Sequence, residues 1–449
     1  MNSNILQKRE KSQQSDKERV RDFQRNLYRK AKREPAFRFY VLYDKIRLPH
    51  FLNEAYKRVK ANGGVSGVDG KTFSDIEEYG VENYLTEISK ELKEQTYRPD
   101  AVNRVFIPKA NGDKRPLGIP TIKDRIVQMS CKLVIEPIFE SDFEDCSYGF
   151  RPKRSAKGAV TEIRENLKKG KTEVFDADVS KYFDTIPHDK LLITVAKRIS
   201  DSKVIHLLKL WLKSPICEDG KIIGGKKNKL GTPQGGVISP LLANIYLHLL
   251  DRLVNTKAIF KRLGISIIRY ADDFILMGKE IPEDILEYVT GILERMGLKL
   301  NTDKSKRINA KEEKFNFLGF TFRYDRGQNN WRLRYWHIEP SMKSQKKMRE
   351  NMKEYFRKNR YKAMTEFSHG INLILRGWMN YYHIPKVSYC RKTFNRVKWH
   401  LDVSLWNHYN KKSQKVSKLY RRYGFDGMVK KYGLIDPSKY IYQHKLVKA

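Results

Sequence analysis

Two adjacent carboxylates interrupt an otherwise apolar stretch: Tyr270, Ala271, Asp272 and Asp273 lie between the runs 265–269 and 274–277. Aspartate disfavours strands, and burying paired carboxylates between β-branched runs costs several kcal/mol unless a cation neutralises them. The pattern predicts an apolar β-hairpin with both carboxylates at its bend. Magnesium, which prefers oxygen ligands, is a natural neutraliser. The alternative reading is an ordinary turn, where aspartate is also favoured.

A second strand-like segment runs Val174, Phe175, Asp176, Ala177, Asp178, Val179 and continues through Ser180, Lys181, Tyr182, Phe183 and Asp184. If the two strands are neighbours, Asp178 faces Asp272, and the pair suits two divalent ions about 3.5–4 Å apart, the arrangement that serves nucleotidyl transfer. Asp176 and Asp184 read as structural residues that hydrogen-bond neighbouring backbone.

The chain's 449 residues, 40% of them hydrophobic, are enough for substantial cores and two or three domains. Lys and Arg number 90 against 52 Asp and Glu, a formal charge of +38. Such an excess fits a polyanionic partner, because neutralising phosphates releases counterions. No stretch approaches 18 consecutive apolar residues, and residues 1–10 lack the apolar core of a signal peptide, so a cytoplasmic (bacterial) location without a membrane partner is expected. The four cysteines, Cys131, Cys146, Cys217 and Cys390, form no Cys-x-x-Cys pair, which argues against a disulfide framework or a structural zinc module and for isolated buried thiols.

Residues 1–40 are polar, basic and helix-prone, either a frayed arm or an RNA-contacting helix. A helical pattern within 48–69 ends at Asn62, Gly63 and Gly64, and another covers about 78–94. A strand over 102–108 leads into Ala110, Asn111, Gly112 and Asp113, a primed-turn signal, and then into Lys114, Arg115, Pro116 and Leu117. Lys109 and Arg115 bracket that turn, either as ordinary surface charges or as partners of triphosphate oxygens. Helical patterns at 125–139 and 191–213 alternate with strands, which indicates an α+β fold.

Gly231, Thr232, Pro233, Gln234, Gly235 and Gly236 form a loop that permits close backbone approach, and Ser239 with Pro240 reads as an N-cap and first helical residue. Residues 284–297 read as a helix, 315–322 as a buried strand, and 326–330 as a second hairpin turn. After Pro340 the composition changes: residues 341–449 hold 26 Lys and Arg against 6 Asp and Glu, with interleaved aromatics. Helical stripes within 342–358, 365–382 and 389–411 predict a small bundle with its cations outside.

The ordered series is specific. Arg104, Val105, Phe106, Ile107, Pro108 and Lys109 precede Arg115, Pro116, Leu117, Gly118, Ile119 and Pro120. Asp124, Arg125 and Gln128 come next, then Tyr148, Gly149, Phe150, Arg151 and Pro152. The Asp178 strand, the Gln234 loop, the Tyr270–Asp273 box and Phe317, Leu318, Gly319, Phe320 complete it. Over about residues 48–410 this series resembles the bacterial group II intron-encoded reverse transcriptases, or maturases.

The resemblance implies an α+β right-hand polymerase, with interleaved fingers and palm, an antiparallel palm sheet and an α-helical thumb. It divides the chain into a basic arm and template-contacting extension (1–75), fingers and palm (76–335), a thumb or maturase domain (336–411), and a basic tail (412–449) that is either DNA-binding or simply solvated. It implies RNA-directed DNA polymerase activity with two Mg2+ ions, and a role in splicing and mobility. Intron RNA, an RNA template with a DNA primer, dNTPs and target DNA are the partners implied.

By the same resemblance Asp178, Asp272 and Asp273 are catalytic and metal-binding. Lys109, Arg115 and Arg151 are basic nucleotide-binding positions, and Gln234 is the nucleotide-pocket glutamine. Phe183 matches the gate that crowds a ribose 2′-hydroxyl, and is otherwise a core residue. Lys304 stands where a lysine protonates pyrophosphate, and is otherwise a salt-bridging surface lysine. No Cys-paired endonuclease domain follows the thumb, so second-strand cleavage is not expected and priming from a nascent strand is consistent with that loss. The alternative functions are an RNA-binding splicing cofactor without polymerase activity, or a host-domesticated or defence-associated reverse transcriptase.

Overall fold

The computed structural model describes residues 15–108, 112, 114–225, 227–327, 332–410 and 418–443. Its strands in chain order are β1 (Val102–Pro108), β2 (Lys114–Ile119), β3 (Glu173–Ala177), β4 (Pro215–Glu218), β5 (Lys221–Gly224), β6 (Ser266–Tyr270), β7 (Asp273–Gly278), β8 (Lys306–Asn309), β9 (Phe315–Phe317), β10 (Phe320–Arg326) and β11 (Arg334–Pro340). They make three sheets, ordered β2-β1-β4-β5, β6-β7-β3-β8 and β11-β10-β9. Helices surround them, giving a mixed α/β architecture.

The β6-β7-β3-β8 sheet is antiparallel throughout and explains how one chain builds two cores. Side chains alternate across a sheet with period two. Phe175, Ala177, Ile267, Phe274 and Leu276 enter a core that also takes in the amino-terminal helices and the buried helix Ile122–Glu140. Val174, Ile268, Ile275 and Met277 enter a second core. That core continues without a break into the helices Met342–Lys358, Met364–Tyr382 and Arg391–Asn410, so the sequence boundary at Pro340 marks a change of composition rather than a separate core.

Several local expectations change once the chain is folded. The helix expected over about 78–94 is present as Val81–Glu94, and a separate helix, Phe73–Tyr79, precedes it across Gly80, whose φ of 98° L side chains rarely adopt. The pattern 191–213 divides into His188–Ala196 and Ser202–Leu212, the second capped by Asp201. Residues 315–322 form a tight hairpin of β9 and β10, turned at Leu318 and Gly319, not one strand. Tyr381 Oη donates to Leu318 O at 3.0 Å and locks that turn to the helix Met364–Tyr382. Ser239 does not cap its helix, because its hydroxyl donates to Pro233 O at 2.9 Å.

Neither end of the described chain is loose. The helix Asp16–Arg33 carries a capping box at Ser15 and Glu18 and buries Val20 and Ala31. Residues 418–443, read from composition as part of a basic tail, bury Phe425, Met428, Leu434 and Tyr440 in the second core. Three of the cysteines are buried and Cys217 is half-buried. Among the described residues no helix is long and apolar enough to cross a membrane.

Candidate active site

The residues Ala271 and Asp272 turn the chain between β6 and β7, with Tyr270 paired to Asp273. Ala271 has φ 60°, a left-handed conformation that surrounding contacts must hold. Beneath it lies Arg269, fully buried. Its Nε and Nη2 donate to the equally buried Asp251 at 2.8 and 2.5 Å, its Nη1 to Asn244 Oδ1 at 2.9 Å and Ala271 O at 2.8 Å, and its Nη2 also to Ser147 Oγ at 2.7 Å. One guanidinium fork thus ties the turn to the helix Ser239–Thr256 and to the loop before Tyr148.

The Tyr148-Gly-Phe-Arg-Pro segment forms the other wall. Arg269 N–H donates to Cys146 O and Tyr148 N–H to Arg269 O, both at 2.8 Å, which extends the edge of β6. Gly149 then passes so close to the turn that an added Cβ would lie 2.4 Å from Ala271 N. Asn244 Nδ2 donates to Gly149 O at 2.8 Å and completes the clamp.

On the open side, β3 pairs with β7 so that Ala177 opposes Phe274. Continuing that register by one residue sets Asp178 opposite Asp273, next to Asp272 at the bend. Desolvation in the cleft, followed by the negative charges of Asp272, Asp178 and Asp176, pushes the Asp273 carboxyl up to about 7. Asp273 is exposed and Asp272 half-buried, so a ligand in solution can reach the cluster. Burial and then Asp178 raise Asp176 to about 6, and burial and Asp178 also raise Asp272. Asp176 makes no side-chain hydrogen bond among the described residues, contrary to the structural role expected for it. It is a fourth carboxylate of the cluster.

Lys304 Nζ lies 3.0 Å from Asp178 Oδ2, and Lys306, Arg115 and Arg269 also lie close enough to act on acids of this group. Among the described residues no three carboxylate, imidazole or thiolate groups form a ready-made metal cage. The donor set still suits Mg2+, which binds through one or two carboxylates and completes its shell with water and substrate phosphate. All the donors are hard oxygens, and they crowd one another closely enough to raise Asp176, Asp272 and Asp273 together.

The glycine loop docks beside β2. Gly118 N–H donates to Gln234 O at 2.5 Å, and an added Cβ on Gly235 would lie 2.3 Å from Gly118 O, so that approach demands glycine. Thr232 N–H donates to Phe183 O at 2.7 Å, Gly231 N–H to Ile186 O at 2.8 Å, and Val237 N–H to Gln128 Oε1 at 2.9 Å. Arg115, exposed, donates from Nε to Gln234 Oε1 at 3.0 Å, and Gln234 Nε2 reaches Asp184 Oδ2 at 3.5 Å. Asp184 thus faces a side-chain amide rather than neighbouring backbone. Phe183 is buried with its edge to Tyr182.

Of the residues proposed from sequence, Asp178, Asp272, Asp273 and Lys304 gather at the turn, and Arg115 and Gln234 meet beside it. Lys109 lies outside the described residues. Arg151 does not fit a nucleotide-binding position. Its side chain is 4% exposed, is bidentate to Glu140 at 2.7–3.2 Å, and donates to Glu144 O and Ser147 O at 2.5 and 2.8 Å. It braces the wall of the site. Sequence reasoning missed Arg269, Asp251 and Asn244; a lone arginine inside the apolar run 265–277 was the available signal.

The family described as "Reverse transcriptase (RNA-dependent DNA polymerase)" matches residues 107–322, which contain the whole carboxylate cluster. The "Group II intron, maturase-specific domain" matches residues 345–424. Protein YkfC of Escherichia coli (strain K12) is 35% identical over 338 residues, 67% of this chain and 87% of YkfC. The group II intron-encoded protein LtrA of Lactococcus lactis subsp. cremoris is 37% identical over 219 residues, 48% of this chain and 35% of LtrA. A 91 kDa protein in the cob intron of Schizosaccharomyces pombe is 29% identical over 320 residues, 59% of this chain and 39% of that protein. Among solved structures, a chain of a partial Cas6-RT-Cas1–Cas2 complex overlaps with TM-score 0.34 at 22% identity, covering 56% of this chain and 42% of that one.

Proposed function

The chain belongs to the family of group II intron-encoded reverse transcriptases and maturases, and on that premise we propose that its RNA-directed DNA polymerase chemistry is centred on Asp178, Asp272 and Asp273. The carrying observation is the gathering of these carboxylates, through the β3–β7 register and the Ala271–Asp272 turn, close enough to act on one another. Asp178 and Asp272 would hold two Mg2+ ions, and Asp273 would serve at the primer end. When bound, these ions favour the 3′-oxyanion of the primer and offset charge gathering on the triphosphate.

The protein's own residues then divide the work. Arg115 and Lys109 pair with triphosphate oxygens, Arg115 through its terminal guanidinium N–H groups while its Nε–H bond to Gln234 Oε1 orients both side chains. Gln234 meets the nucleotide. Lys304 Nζ, already beside Asp178, supplies a proton to the departing pyrophosphate. Phe183 crowds the position of a ribose 2′-hydroxyl, which selects dNTPs over NTPs.

In this reading residues 76–335 are fingers and palm with the β6-β7-β3-β8 sheet as palm, residues 336–411 are a thumb, and residues 1–75 contact template. Its partners are an RNA template with a DNA primer, intron RNA whose splicing it assists, and target DNA.

The test is primer extension on an RNA template with Mg2+, with dNTPs or NTPs, by wild type and Asp272→Ala. Extension by wild type alone and with dNTPs alone is expected. Tight, salt-sensitive RNA binding without extension by either protein would replace this reading with that of a splicing cofactor.

A further inference from the structure

The helix Arg391–Asn410 has two unlike faces. Phe394, Val397, Leu401, Leu405 and Tyr409 point into the second core. Lys392, Arg396, Trp399, Val403 and Trp406 recur at helical spacing on the opposite face, all of them exposed. Trp399 is 60%, Val403 37% and Trp406 51% exposed. Two indoles left in water on one stripe of a folded helix are informative, because a core would otherwise claim side chains of that size.

The surroundings say what would cover them. The only acid on this helix, Asp402, accepts a hydrogen bond from Tyr420. Lys392 and Arg396 extend the stripe at one end, and Arg349 and Lys353 of the helix Met342–Lys358 lie close enough to act on His400, next to Trp399. A cationic groove with aromatic platforms is the recognition chemistry of unpaired nucleotides: the charges follow the backbone and the rings take bases of any sequence. Seven residues of helix separate the two indoles along the axis by about 10 Å. That is about three steps of a stacked strand at about 3.4 Å each.

We propose that Lys392, Arg396, Trp399, Val403 and Trp406 form a stacking face for unpaired RNA bases, outside the polymerase cleft. The proposal rests on the RNA-binding reading of the maturase domain and adds to it the residues, the single-stranded form of the ligand and the mode of contact.

The experiment uses the full chain with an excess of primer–template duplex occupying the cleft. An unstructured RNA of about 20 nucleotides and a blunt RNA duplex of the same length are titrated while tryptophan fluorescence and bound fraction are followed. Wild type is expected to bind the single strand with quenching. The double variant Trp399→Ala/Trp406→Ala should lose affinity for it by on the order of tenfold per indole, with most of the quenching gone. Its salt slope, melting temperature and duplex binding should stay unchanged. Trp399→Phe/Trp406→Phe should keep most of the affinity, because a phenyl ring still stacks.

Unchanged single-strand affinity in the alanine variant would overturn the proposal, as would equal loss of duplex and single strand or a phenylalanine variant as weak as the alanine one. Self-association of wild type that disappears in the alanine variant, with RNA binding intact, would instead make the stripe a protein interface. Failure of wild type to bind either RNA would remove the RNA-binding reading itself, an outcome distinct from failure of the stripe alone.

Discussion

Two charge clusters lie on opposite sides of one turn and are built in opposite ways. Below it, Arg269 and Asp251 are sealed from water and every guanidinium nitrogen is engaged. Above it, Asp178, Asp272 and Asp273 crowd one another with Lys304 as a close cation. A neutralised, hydrogen-bonded pair fixes a shape. A cluster of crowded carboxylates open to solvent offers oxygen donors that a cation can neutralise, which is what supports the site proposed on it.

The contrast predicts opposite consequences for removing one charge. Asp272→Ala should reduce primer extension in single-turnover assays by at least about a thousandfold, several kcal/mol of lost transition-state stabilisation. Its melting temperature should stay level or rise, since a like-charge contact disappears. A large fall in stability would mean that the open cluster is structural after all.

Arg269→Met should act in the reverse sense. It strands Asp251 in the core at a cost of about 3–5 kcal/mol, whereas pairing it with Asp251→Leu should recover much of that stability. Activity should not return with the fold, because Ala271 O still lacks its donor. Urea unfolding alongside primer extension measures both. Gly149→Ala separates position from charge: a Cβ 2.4 Å from Ala271 N must displace the turn, and a displacement of about 1 Å costs on the order of a hundredfold in rate. The expected signature is a lower kcat with a modest change in stability.

The arginines supply a finer comparison. Arg115→Lys should raise the KM for dNTP severalfold with little effect on stability, since Arg115 is exposed and donates to the side chain of Gln234. Arg151→Lys should do the opposite, because lysine cannot reproduce the bidentate contact to Glu140, and about 1–3 kcal/mol of stability should go with KM unchanged. Equal KM effects would return Arg151 to the nucleotide site.

That pair also shows where sequence reading succeeds and where it stops. The carboxylate turn was legible because charge inside an apolar run is costly and therefore conspicuous. β1 was legible over 102–108 because a turn signal bounds it, and the helix Met342–Lys358 because its apolar stripe is regular. What the arginines do was not legible, because Glu140, Asp251 and Asn244 are partners only after the chain has folded back over 11 to 25 residues. The Leu318–Gly319 turn was hidden among apolar neighbours whose period suits a strand. Residues 418–443 read only as part of a basic tail, DNA-binding or solvated, because their charge obscured four well-spaced apolar residues, Phe425, Met428, Leu434 and Tyr440.

A third carboxylate tests the contrast at its midpoint. Asp124 is buried and forms no ion pair among the described residues, yet it accepts from Tyr97 Oη at 2.6 Å, Thr121 Oγ1 at 2.9 Å and Asp100 N–H at 3.1 Å. Burial outweighs these bonds and lifts its carboxyl to about 6. Its ordinary value is near 3.8, so between about pH 4 and 6 the folded chain holds a proton that the unfolded chain has released. Stability contributed by this group should therefore fall as pH rises through that window, by at most about 3 kcal/mol. Asp124→Asn keeps an acceptor oxygen and removes the titration, so urea midpoints measured from pH 4 to 7 should flatten relative to wild type. An unchanged slope would mean that its hydrogen bonds neutralise Asp124 as fully as Arg269 neutralises Asp251, and crowding of like charge would then be peculiar to the turn.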